Sequence, residues 1–113
     1  MATFIGAEHL MALGLISKLR NGENAITFNE LRQTGRQLQD ELNQLGVDAV
    51  VMTDFTDALF EYDDYFSAID INGNNYCKCA MGVGLCDLER RFVGCLSFDV
   101  LKIMAQYISE DLY

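Results

Sequence analysis

The chain has 113 residues, half of them apolar and 22% charged, a composition suited to burying a core and wrong for a disordered chain. Seventeen acids against eight bases give a net charge of −9, a field that repels nucleic acid and anionic membrane and draws basic partners inward. The longest unbroken apolar run, Leu10 to Ile16, is far too short to span a bilayer.

No basic residue precedes Lys18, and Glu8 and His9 interrupt the early apolar stretch. A secretory signal is therefore not expected, and the host-cell cytoplasm, where thiols stay reduced, is the expected compartment. No proline, repeat or linker divides the sequence, which reads as one domain over residues 1–113.

A first helix is expected from about Ala7 to Arg20, closed by the Asn-Gly-Glu-Asn stretch that begins at Asn21. Being apolar nearly all round, it should be buried or face a second subunit. Thr27 and Glu30 form a capping box that opens a second helix. Its apolar seam, Phe28, Leu31, Gly35, Leu38, Leu42 and Leu45, ends at Gly46, while Gln33, Gln37, Gln39, Asn43 and Gln44 make a polar, uncharged face. A helix glycine costs about 1 kcal/mol against alanine, and close approach of another helix would compensate at Gly35. These two helices suggest a homodimer crossing near Gly35.

Val47 to Met52 is short and β-branched and reads as a strand. A third helix is expected from Asp54 to about Tyr62. Two extended runs then flank Asn72-Gly73, a strong hairpin signal that sets Ala68 opposite Cys77 and Phe66 opposite Cys79. Cys86 to Phe92 is a short helix or turn. Ser97 caps a last helix striped by Phe98, Leu101, Ala105, Ile108 and Leu112. The class is α+β, with four to five helices packed on a small antiparallel hairpin or sheet.

Cys77, Cys79, Cys86 and Cys95 do not have zinc-knuckle spacing, and the hairpin register puts the first two on an apolar face. They are expected to be core, free of metal and disulfide, with a metal or thiol site as the rival reading. Asp70, Asn72 and Asn74 resemble the start of a calcium loop, but Asn75 replaces its glycine and Met81 its final carboxylate. His9, the only histidine, has no neighbouring motif to orient it and reads as structural. Gly82 and Gly84 form a lone G-x-G whose phosphate position is blocked by Asp87.

No catalytic set and no cofactor is expected. The strongest candidate is acidic. Between Gln37 and Cys77 there are nine acids and no lysine or arginine. Asp54, Asp57, Glu61 and Asp64 fall at helical spacing as one ridge, beside Asp63 and the aromatics Tyr62 and Tyr65. These seven residues are the expected contact surface for a basic protein partner, with a solvated acidic face as the plain alternative.

Size and charge resemble those of small acidic inhibitors of nucleic-acid enzymes, such as phage anti-defence (anti-CRISPR) proteins that mimic DNA phosphates. They also resemble immunity proteins that cap basic nuclease toxins. Such a likeness implies an inhibitor that is not an enzyme. The rivals are a metal- or thiol-dependent enzyme built on the cysteines and a structural subunit that oligomerises.

Overall fold

The computed structural model describes residues 3–94. In chain order its elements are β1 (Thr3–Ile5), α1 (Ala7–Arg20), β2 (Ala25–Thr27), α2 (Phe28–Gln44), β3 (Ala49–Val51), α3 (Phe55–Glu61), β4 (Phe66–Ile71), β5 (Asn74–Cys79) and α4 (Leu85–Leu88), which runs into a π-turn over Glu89–Val93. The class is α+β. Among the described residues, four helices accompany an antiparallel sheet of order β2-β5-β4 and a parallel pair, β1-β3. Sequence patterning yields the hairpin and β3 but neither β1 nor β2, each three residues long and too short to show a period. Cys95 and the helix expected after Ser97 lie outside the described residues.

The run that makes α1 apolar all round also makes it the centre of the molecule. Leu10, Met11, Ala12, Leu13, Leu15 and Ile16 are completely buried, with α2, α3, β2, β5 and the α4 region packed around them. Gly14 is buried too, and a Cβ there would lie 2.7 Å from Leu31 and 2.8 Å from Ile26. Gly35 allows the reciprocal approach from α2, at 3.0 Å from Leu10 and 3.3 Å from Val51. The compensation for glycine in α2 is therefore found inside one chain, where the sequence suggests a dimer crossing. Apart from Leu45, the seam of α2 is buried within the same chain, as are Leu10 to Ile16 of α1.

The capping box of α2 is formed as expected. Glu30 N–H donates to Thr27 Oγ1 at 3.0 Å, and Thr27 N–H donates to the Glu30 carboxylate at 3.0 Å. The same carboxylate takes Lys18 Nζ at 3.1 Å, which ties α2 to α1. Phe28, Leu31, Gly35, Leu38 and Leu42 are buried, but Leu45 is 70% exposed. The helix stops at Gln44, with Gly46 N–H on the Asn43 carbonyl and Val47 N–H on the Leu42 carbonyl. Leu45 thus leaves the stripe at the cap.

Two amides of the polar face of α2 have a structural task that the sequence does not announce. Asn43 Oδ1 accepts from Ala49 N–H at 3.1 Å and Gln39 Oε1 from Val51 N–H at 3.0 Å. They close the edge of β3 that faces away from β1.

The hairpin register is as expected, Phe66 opposite Cys79 and Ala68 opposite Cys77. Asn72 (φ 54°) and Gly73 (φ 81°) both adopt the positive φ that a type I′ turn demands. From the other side, Ile26 of β2 also stands opposite Cys77. At the far end, the buried Phe92 gathers Tyr62, Tyr65 and Phe66, with ring centroids 5.2–5.5 Å away.

Candidate functional site

The acidic segment is placed by α3. Phe55 and Ala58 are buried and Leu59 and Tyr62 pack against the core, so helical periodicity turns Asp54, Asp57 and Glu61 out to solvent. The helix ends at Glu61, because the chain folds back with Tyr65 N–H and Phe66 N–H both on the Tyr62 carbonyl at 3.0 Å. Asp63 and Asp64 therefore sit in the connecting turn, exposed. The expected four-carboxylate helical ridge is corrected to three acids on or at the helix and two in the turn after it. Among the described residues, none of these five carboxylates has an ion pair.

Tyr62 and Tyr65 are not displayed beside the acids. Both are half-buried, edge-on to Phe92, with the Arg91 guanidinium 5.7 Å and 6.0 Å from their ring centroids. Burial, then the Glu8 and Glu61 carboxylates, push the Tyr62 phenol above its ordinary value, against a lowering pull from Arg91. These two rings hold the turn in place.

The aromatic that does reach solvent is Phe60, 80% exposed. It forms one wall of a groove of about 440 Å³ whose other apolar walls are Phe28, Leu59, Phe66 and Ala68. Thr56, Asp63 and Asn75 are its polar members. Of the acids, Asp63 lines this apolar slot, while Asp57 and Glu61 each follow a groove-facing residue, Thr56 and Phe60, by one position on α3. The signal was present in the sequence: Phe60 lies off the inward stripe Phe55, Ala58, Leu59 and Tyr62.

The thiols have another character. Cys77 is completely buried, and burial pushes its thiol up to about 12, with Cys79 adding a little. Cys79 is only half-buried and is raised by burial and by Asp87. Cys86 is exposed, and all three are free thiols. The expected apolar face is thus sealed at Cys77 and opens toward Cys79, and Ala68 is exposed. Among the described residues, no three His, Cys, Asp or Glu side chains stand together as metal ligands.

His9 directs Nδ1 to the Phe92 carbonyl at 3.0 Å and Nε2 toward Glu8 at 3.5 Å. Asp87 accepts the Gly84 N–H at 2.9 Å, occupying the G-x-G amide from within. A further cleft of about 340 Å³ between α1 and α2 is polar, and its Lys18 is already bound to Glu30 and Glu23 at 3.1 Å each. No helix among the described residues is long and apolar enough to cross a membrane.

Compared with family models, with curated proteins and with solved structures, the chain matches none.

Proposed function

We propose that this is a small binding protein whose acidic face, Asp54, Asp57, Glu61, Asp63 and Asp64, engages a positively charged protein partner. Its action would be that of an inhibitor standing in for nucleic-acid phosphates on an enzyme, or of an immunity protein capping a basic nuclease. The observation that carries the reading is charge left unneutralised: these five exposed acids have no ion pair among the described residues, while Lys18 and Arg20 are spent on Glu23, Glu30 and Glu89. Such a field speeds encounter with a basic surface and makes it salt-sensitive.

The enzyme reading draws less support. An activated thiol needs a lowered pKa, and burial drives Cys77 and Cys79 the other way. The oligomerising reading keeps one observation in its favour. Phe4, 68% exposed, pairs across to Val50 on the parallel ribbon, with the exposed Met52 just beyond. A homodimer over that patch would show a doubled mass by light scattering at tens of micromolar.

The test of the main reading is capture from host lysate at low and high salt, followed by binding of the isolated partner to a Glu61→Lys/Asp64→Lys variant. The parent should hold the partner at low salt, and the variant should fold yet lose it. Equal binding by parent and variant at physiological salt would overturn the reading.

A further inference from the structure

The groove beside Phe60 has one property that a mere apolar dent lacks: a strand edge that is open among the described residues runs along it. β4 is the outer strand of the order β2-β5-β4. The bond from Ala80 N–H to the Tyr65 carbonyl at 2.9 Å fixes the alternation of the β4–β5 ladder. By that alternation Ser67, Ile69 and Ile71 bond across to β5, while Phe66, Ala68 and Asp70 point their N–H and C=O groups away from it. Phe66 N–H is used by the Tyr62 carbonyl. Among the described residues, the backbone groups of Ala68 and Asp70 on that edge have no partner. Ala68 is also a wall of the groove, and Asp70 shares its sheet face two residues on.

We infer that β4 and the groove together receive an extended basic segment of the partner, added as a further antiparallel strand and carrying an apolar side chain with a lysine or arginine two positions away. The inference rests on the basic-partner reading and specifies how that partner is held. A residue paired with Ala68 projects on the same face as Ala68, into the slot between Phe60 and Phe66. The residue paired with Asp70 faces that carboxylate, so a cation belongs there.

Asp63 lines the groove, and the exposed Asp70 stands on the sheet face of Ala68 two residues on, so both put negative charge beside the slot. The same charges repel a second copy of this acidic chain, because edge carboxylates guard a strand against self-pairing. Main-chain bonds would supply affinity and the slot would supply selectivity, the division of labour in strand addition.

The experiment titrates the isotope-labelled full chain with a capped seven-residue peptide of alternating threonines, with lysine, phenylalanine and lysine at its second, fourth and sixth positions. The amide signals of Ala68 and Asp70 should shift and gain exchange protection. Replacing the phenylalanine by serine, or N-methylating its backbone nitrogen, should each weaken binding roughly tenfold, by loss of the apolar contact or of a strand bond. The Phe60→Ser protein should show the same loss.

Equal binding of the N-methylated peptide overturns strand addition, and equal binding of the serine peptide overturns the slot. Absence of any response at Ala68 and Asp70 up to millimolar peptide overturns both. None of these results bears on the acidic face as such, which is judged by the Glu61→Lys/Asp64→Lys variant against the captured partner.

Discussion

His9 Nδ1 lies 3.0 Å from the carbonyl oxygen of Phe92, joining the first turn of α1 to the π-turn across most of the described chain. The ring of His9 also meets that of Phe92 edge-on at 6.1 Å. Nδ1 must carry the proton, since the carbonyl can only accept. This contact fixes the residue on which Tyr62, Tyr65 and Phe66 all pack, and so fixes the turn that displays Asp63 and Asp64.

Two substitutions should weigh the His9 contact against the aromatic cluster it holds. His9→Ala should cost about 1–2 kcal/mol, the net worth of one hydrogen bond together with the edge-on ring contact. Phe92→Ala should cost about 3–5 kcal/mol by emptying a buried aromatic site. Urea unfolding checks both, with a lowered midpoint at unchanged slope. A Phe92→Ala loss below about 1 kcal/mol would mean that the aromatic cluster does not hold the turn.

Cys77 and Cys86 should differ sharply toward a thiol reagent. In the folded protein Cys86 should label promptly and Cys77 only on unfolding, read by mass spectrometry of proteolytic peptides after a short pulse. The alkaline stability follows from the same burial. Unfolded Cys77 ionises above its ordinary 9.0, while the folded thiol stays neutral to about 12. The unfolded state therefore holds fewer protons across that window, and stability falls as pH rises through it. Cys77→Ala should flatten this alkaline slope. Lys18, raised by Glu30 and Glu23, adds to the slope: its contribution is present below 10.5 and is lost as pH rises through the folded value.

On the acid side the group to watch is Glu30, held below its ordinary value by the Thr27 N–H and by Lys18, against the raising effect of burial. A depressed carboxyl contributes stability above 4.5 and loses it as pH falls through the folded value. Glu30→Gln can keep the capping geometry without titrating. It should flatten stability against pH below about pH 5. Thr27→Ala should instead cost about 1 kcal/mol at neutral pH by deleting the cap.

Phe60 and Phe55, neighbours on α3, should respond in opposite ways. Phe60→Ser should leave the unfolding midpoint nearly unchanged, since the ring is 80% exposed, whereas Phe55→Ala should cost about 3–5 kcal/mol because Phe55 is 2% exposed. Glu61→Lys/Asp64→Lys should not destabilise the fold, and at low salt should raise stability by a few tenths of a kcal/mol through relief of like-charge repulsion. A large loss in that variant would show that the acids serve the fold.

Much of this was legible in the sequence because it is written in short-range rules. The capping box depends on residues three apart, the hairpin register on a two-residue turn, and the central place of α1 on an apolar run with no polar stripe. The bounds of α1 and the pairing of Phe66 with Cys79 follow from such rules alone. What only the tertiary structure decided involves partners remote in the chain. β1 pairs with β3, and β2 joins β5, through segments of three residues that carry no period of their own. Gly35 meets Leu10 and Val51 of its own chain where a dimer contact looked equally good, since sequence cannot say which surface supplies the neighbour. Tyr62 and Tyr65 turn inward because Phe92 is there to receive them, and the groove exists because α3, the start of α2 and β4 converge. The acids were countable from the sequence; the apolar slot and open strand edge beside them arise from packing between distant segments, which no local pattern encodes.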